Sequence, residues 1–166
     1  MTEERGQRRD PRRQEHSGAG LGRGARDDKN QQTEMVTLTV PSHPKYLYVI
    51  RSVVYPIAAE AGFSRGETRK IVLAVDEACS NIIKYAYEGD PTKSINMNVT
   101  VDRQRLRIEL ADTGKKADAG KIAPRNLDDI RPGGLGTHFM ASVFDTVSYD
   151  TSREAGTVLT LIKGKR

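Results

Sequence analysis

The sequence has no tryptophan and only three phenylalanines. Aromatics are too sparse for the stacking platform that single-stranded nucleic acid needs. There is one cysteine, Cys79, so no internal disulfide can form, which fits a reducing cytoplasm. No apolar run approaches the roughly 18–20 residues of a membrane span, and the amino-terminal stretch lacks the apolar core of a signal peptide. Histidine is equally scarce. His16, His43 and His138 are scattered and, with one cysteine, make no metal cluster.

What is abundant is positive charge, and it is uneven. The net charge is +5, yet residues 1–34 alone hold Arg5, Arg8, Arg9, Arg12, Arg13, Arg23, Arg26 and Lys29. That segment is rich in Gly and Gln and has almost no large apolar residue. It cannot bury enough surface to offset its chain entropy, so it reads as a basic disordered tail. A solvated leader is the plainer reading, and a nucleic-acid or anionic-lipid contact the alternative. The remaining residues, 35–166, suffice for one domain.

Periodicity orders that domain. Residues 35–40 alternate as a strand that Pro41 ends. Residues 43–61 repeat apolar side chains at helical spacing, with Pro56 predicting a kink or break. Ser64-Arg65-Gly66-Glu67 fits a capping box opening a helix that runs to about Tyr87. Segments 94–101 and 105–111 alternate around a short turn and predict a hairpin. Residues 114–133 form a long polar loop, of a length that is usually functional. A short helix at 135–144 and strands at 145–151 and 156–163 complete the order. Consecutive hairpins predict an α/β two-layer sandwich. Its sheet is mainly antiparallel, though mixed, and about three helices cover one face.

Three motifs fall on these elements. Glu77 and Asn81 are one helical turn apart, within roughly 40° of each other at about 100° per residue. Lys84 and Glu88 follow on the same stripe. That stripe is either a solvated face laced with i,i+4 pairs or the wall of a polar cleft. In a cleft, Asn81 offers an oxygen to a hard cation such as Mg²⁺, and Glu77 can accept a proton from an attacking hydroxyl. Asp112-Thr113-Gly114 ends an apolar strand. It is either an ordinary turn or a carboxylate placed to accept from adenine's exocyclic amine, with Gly114 supplying an unusual backbone turn. Gly133-Gly134-Leu135-Gly136 opens a helix, where free amides favour phosphate oxygens. It is not a Walker loop, since no Gly-Lys-Ser/Thr follows.

In this order the motifs resemble those of the Bergerat ATP-binding fold, which gyrase, a heat-shock chaperone, sensor histidine kinases and mismatch-repair ATPases share. Within it, residues 35–163 are similar to the small bacterial anti-sigma-factor serine/threonine kinases. Val75 through Tyr87 match their N-box helix, Asp112-Thr113-Gly114 the first glycine box, and Gly133-Gly134-Leu135-Gly136 with Phe139-Met140 the second. The late Gly156-Thr157 pair also fits. The resemblance implies ATP and Mg²⁺ as cofactors. It gives Glu77 as general base and Asn81 as the Mg²⁺ ligand. Asp112 binds the adenine amine with Thr157 assisting, and Gly114, Gly133, Gly134, Leu135 and Gly136 shape the phosphate loop. Lys84, Arg125 or Arg131 neutralises γ-phosphate charge. One departure stands out: Lys116 occupies the place where a second glycine is often found, which bears on lid closure.

The implied function is a cytoplasmic protein kinase and anti-sigma factor that works by partner switching. It binds a sigma factor or phosphorylates that factor's antagonist, and a homodimer is expected. Two other readings stand beside it. One is a non-catalytic nucleotide-binding module that sequesters a partner. The other is an adaptor using the basic tail, although neither membrane nor nucleic acid is the expected partner.

Overall fold

The computed structural model describes residues 33–117 and 135–165. The basic tail to residue 32 and most of the long loop therefore lie outside the described residues. Strand β1, Glu34–Pro41, leads into a 3-10 turn at Pro44–Tyr46, where the His43 imidazole Nδ1 accepts from the Lys45 amide at 3.2 Å. Helix α1 then spans Leu47–Glu60. Pro56 does not break it: the proline lies on the exposed side, where water can satisfy the carbonyl one turn earlier that lacks its N–H partner. Leu47, Ile50, Val54 and Ala58 are its buried stripe.

Gly62, at φ +96, reverses the chain. Helix α2, Arg65–Asn81, starts with the capping box as expected. The Ser64 hydroxyl oxygen accepts from the Glu67 amide at 3.3 Å, and the Ser64 amide donates to the Glu67 carboxylate at 3.1 Å. The expected continuous helix to Tyr87 differs in one respect. After Asn81 the chain widens into a π-helical turn, Ile82–Ala86, before Glu88 and Gly89 at positive φ end it.

Strands β2 (Ser94–Val101) and β3 (Arg105–Ala111) form the expected hairpin, and their bounds coincide with the alternation in the sequence. Helix α3 spans Leu135–Val143, and strands β4 (Thr146–Asp150) and β5 (Val158–Gly164) follow. The sheet order is β1-β2-β3-β5-β4. A mixed sheet is expected from the sequence, but every pairing among the described residues is antiparallel.

Alternation decides which face carries the helices. Ile95, Met97, Val99, Leu106, Ile108, Leu110, Leu159 and Leu161 point inward and are buried against α1 and α2. Each such side chain contributes about 1.5–3 kcal/mol by leaving water. The opposite face is a polar lattice. Thr37 donates to Asn98 at 3.0 Å, Thr39 donates to Asn96 at 2.7 Å, and Arg107 pairs with Glu109 at 2.6 Å. With one face apolar and the other wet, the result is two layers. Helix α3 adds Met140 and Val143 to the core, and Phe144 follows just beyond its end. Its last turn is tied to β5 by the Lys163 ammonium, which donates to the Val143 carbonyl at 2.9 Å.

Candidate functional site

The three sequence motifs meet through their glycines. Glu77 and Asn81 project from the last two turns of α2 and are half-buried, while Arg69, Lys70 and Leu73 earlier on the helix are exposed. The cover over Glu77 is the first turn of α3. A Cβ added to Gly136 would lie 2.7 Å from Glu77 Cγ and 2.8 Å from its Cδ, closer than carbon atoms approach. Only a hydrogen fits there, so the start of α3 and the Glu77 side chain are in direct contact. Glu77 is therefore walled in rather than on an open solvated face. The stripe drawn from α spacing ends at Asn81. The π-turn changes the angular step, leaving Lys84 exposed, and Glu88 falls beyond the helix, where it pairs with Lys115 at 2.5 Å.

The second motif is locked to that π-turn. A Cβ on Gly114 would lie 2.6 Å from the Ala86 carbonyl carbon and 2.9 Å from the Tyr87 ring. Gly114 is not among the residues at positive φ. Close approach of two backbones, and not the unusual turn expected from the sequence, is what requires glycine there. The Lys115 amide donates to the Ala86 carbonyl at 2.8 Å. The Tyr87 hydroxyl donates to the Ser94 carbonyl at 2.7 Å and accepts from the Thr113 amide at 2.9 Å. Sequence spacing treats Tyr87 only as the end of a helix. Its burial, at 5% exposed, and its two hydrogen bonds are visible only once β2 and the glycine box are placed.

Asp112 sits at the centre of this arrangement and is only 4% exposed. Its Oδ1 accepts from the Gly114 amide at 2.8 Å, and its own amide donates to the Thr157 carbonyl at 3.0 Å. Burial pushes its carboxyl above the ordinary 3.8, while the Gly114 and Thr157 amides pull the other way. Gly156 makes the neighbouring crossing at φ +77, where a Cβ would lie 2.6 Å from the Asp112 carbonyl carbon. Thr157 is also buried, and its hydroxyl oxygen accepts from the Ala117 amide at 3.0 Å. The backbone is thus held on both sides of Lys116, itself exposed, without a glycine at that position.

Glu77, Asn81, Asp112, Gly114, Gly136 and Thr157 all lie on this connected set of elements, with Lys84 at its exposed margin. Leu135 opens α3. Arg125, Arg131, Gly133 and Gly134, and the side chain of Leu135, lie outside the described residues.

Comparison with known proteins agrees with this frame. The sequence profile of the histidine kinase-like ATPase domain matches residues 40–163. The chain belongs to the histidine kinase-like ATPases. Within that family it is similar to the serine-protein kinases RsbW. That of Bacillus subtilis is 30% identical over 122 residues, covering 69% of this chain and 76% of the relative. That of Halalkalibacterium halodurans is 28% identical over 140 residues, covering 80% and 84%. The crystal structure of the RsbU and RsbW domains of Rv1364c from Mycobacterium tuberculosis superposes with a TM-score of 0.56 at 15% identity. It covers 78% of this chain and 31% of that longer one, and it supports the fold. The resemblance to the small anti-sigma-factor kinases, drawn from the three motifs, therefore holds at the level of family. Among the described residues, no helix is long and apolar enough to cross a membrane.

Proposed function

We propose that this chain is an ATP-dependent serine/threonine-protein kinase of the partner-switching kind, which binds a sigma factor and phosphorylates that factor's antagonist. Residues 35–166 form its ATPase domain, residues 1–34 lie outside that domain, and the protein acts as a homodimer in the cytoplasm. The observation that carries the reading is the contact of Gly136 with Glu77. It joins the helix that follows the phosphate loop to the carboxylate that would serve as base.

The residues present fit ATP and Mg²⁺. Asn81 is a half-buried oxygen donor, the hard-ligand chemistry that Mg²⁺ accepts while retaining water and phosphate ligands, and Glu77 lies half-buried one turn away, free to act as base. Asp112 is a buried acceptor with one oxygen already oriented by Gly114. When bound, Mg²⁺-ATP supplies the phosphoryl group and part of the charge compensation for its transfer. The chain's own residues do the rest. Asp112 accepts from the adenine amine, and Thr157, whose oxygen is held by Ala117, keeps its O–H to donate. The Asn81 side-chain oxygen holds the cation. Glu77 takes up, on a carboxylate oxygen, the proton lost by the target hydroxyl. Lys84 and Arg131 counter phosphate charge, and the glycines Gly133, Gly134 and Gly136 with Leu135 admit the phosphates close to backbone amides.

The test is transfer of labelled γ-phosphate from ATP to the protein that co-purifies with the full chain. Glu77→Gln is expected to abolish transfer and retain nucleotide binding. Transfer at the wild-type rate by that variant would remove Glu77 from the role. Nucleotide binding with partner capture but no transfer by the wild type would establish instead the non-catalytic sequestering module.

A further inference from the structure

Tyr87 connects separate parts of the chain through its hydrogen bonds. It caps the π-turn after Asn81. Its hydroxyl donates to the Ser94 carbonyl at the start of β2, and accepts from the amide of Thr113, the residue that follows Asp112. Its ring lies against Gly114, where an added Cβ would come within 2.9 Å of Cδ1. The ring thus sets the depth of the Asp112-Thr113-Gly114 turn, and the hydroxyl sets its rotation. A phenol buried among apolar residues needs a partner for its O–H, and both of its hydrogen bonds go to backbone groups whose places are fixed by the sheet and the glycine box. Asp112 in turn accepts from Gly114 within the same turn. A rotation of the Thr113 peptide would therefore swing the Asp112 carboxylate.

We infer that Tyr87 is a positioning residue for purine recognition, holding the Asp112 carboxylate at the angle that selects a 6-amino group, as adenine has. This rests on the reading that Asp112 accepts from the adenine amine. Guanine carries a carbonyl oxygen in place of that amine, so a carboxylate held for the amine meets an acceptor there, and the ratio of ATP to GTP affinity reports on Asp112's placement. Tyr87 touches no reacting atom, and the rate of phosphate transfer at saturating ATP is set elsewhere in the site.

The test uses the full chain and three variants: Tyr87→Phe, Asp112→Asn and the double variant. ATP and GTP affinities are measured by competition against a fluorescent ADP analogue, with transfer rates at saturating ATP and thermal melts alongside. Tyr87→Phe keeps the ring and removes one hydrogen-bonding hydroxyl, so roughly three- to ten-fold weaker ATP binding is expected. The ATP-to-GTP ratio should shrink by a similar factor and the saturated rate should hold. In the double variant the Phe substitution should add nothing to Asp112→Asn, because Tyr87 acts through that carboxylate. A lower melting temperature with an unchanged ATP-to-GTP ratio would reduce Tyr87 to a structural role and overturn the inference. Additive losses in the double variant would overturn it as well. If Asp112→Asn itself leaves the ratio unchanged, the adenine assignment falls and the inference falls with it.

Discussion

Replacing Gly136 with alanine tests the contact that joins α3 to Glu77. The added methyl would stand 2.7 Å from Glu77 Cγ and 2.8 Å from Cδ. Carbon atoms settle at about 3.5–4.0 Å, so one group must retreat by roughly 1 Å. The neighbour is a flexible side chain and not backbone, which makes rotation of Glu77 the cheap response. Forcing it off its rotamer costs about 0.5–1.5 kcal/mol, a fall in melting temperature of a few degrees for a domain of this size. The catalytic consequence is larger, since a misplacement of about 1 Å can cost on the order of 100-fold in rate. Gly136→Ala should therefore lose about two orders of magnitude in phosphate transfer at saturating ATP while remaining folded. Gly136 also borders the phosphates in this reading, so the comparison is made at saturating ATP, where weaker nucleotide binding does not enter the rate. Gly66→Ala is the control: nothing lies within 4 Å of its added Cβ, and alanine stabilises a helix by roughly 0.5–1 kcal/mol over glycine. Transfer by Gly136→Ala within roughly threefold of wild type, in a normally melting protein, would refute the placement of Glu77 by this contact.

Other outcomes follow from the same geometry. Gly156→Ala is expected to be the most damaging glycine substitution, because its backbone is at φ +77 and the added methyl meets the Asp112 and Thr113 backbones. A loss of about 2–4 kcal/mol from strain plus overpacking would appear in denaturant titrations, and a loss under about 0.5 kcal/mol would contradict the crossing. Cys79 is fully buried, and burial with the nearby Asp76 carboxylate pushes its thiol far above the ordinary range. It should resist a thiol reagent at neutral pH until the protein is unfolded, and prompt labelling of native protein would contradict that burial. Asp112 has its carboxyl raised above 3.8 by burial. Protonation removes an acceptor for the adenine amine, so ATP affinity should fall as the pH drops through that raised value, before ordinary aspartates protonate. For stability the sign is opposite. The raised value means that the folded state binds this proton more tightly, so Asp112's unfavourable contribution grows as pH rises through that window. ATP affinity that stays flat down to the ordinary aspartate range would remove Asp112 from the adenine contact.

Much of the architecture was legible because its signals are short-range. The alternation of Ile95, Met97 and Val99 against Leu106, Ile108 and Leu110 sets both strands and the face they bury. The Ser64 and Glu67 pair sets the start of α2 within four residues of chain. Pro56 leaves α1 unbroken for a local reason as well: its cost depends on whether the freed carbonyl reaches water, and that depends on the side of α1 that packs. The all-antiparallel pairing could not be settled from single strands, since β3 pairs with β5 across the segment that contains α3 and β4.

The sequence by itself determined the elements, the inward faces of the strands, and the spacing of Glu77 and Asn81 on one helix. These depend on side chains a few residues apart and on the fixed periods of helix and strand. Only the tertiary structure decided that Glu77 lies beneath α3, that Gly114 is needed for close approach to Ala86, and that Tyr87 reaches Thr113. Those contacts join residues separated by 59, 28 and 26 positions. No local pattern encodes such pairs, because the sheet order and helix packing that bring them together arise from burial of the whole apolar core.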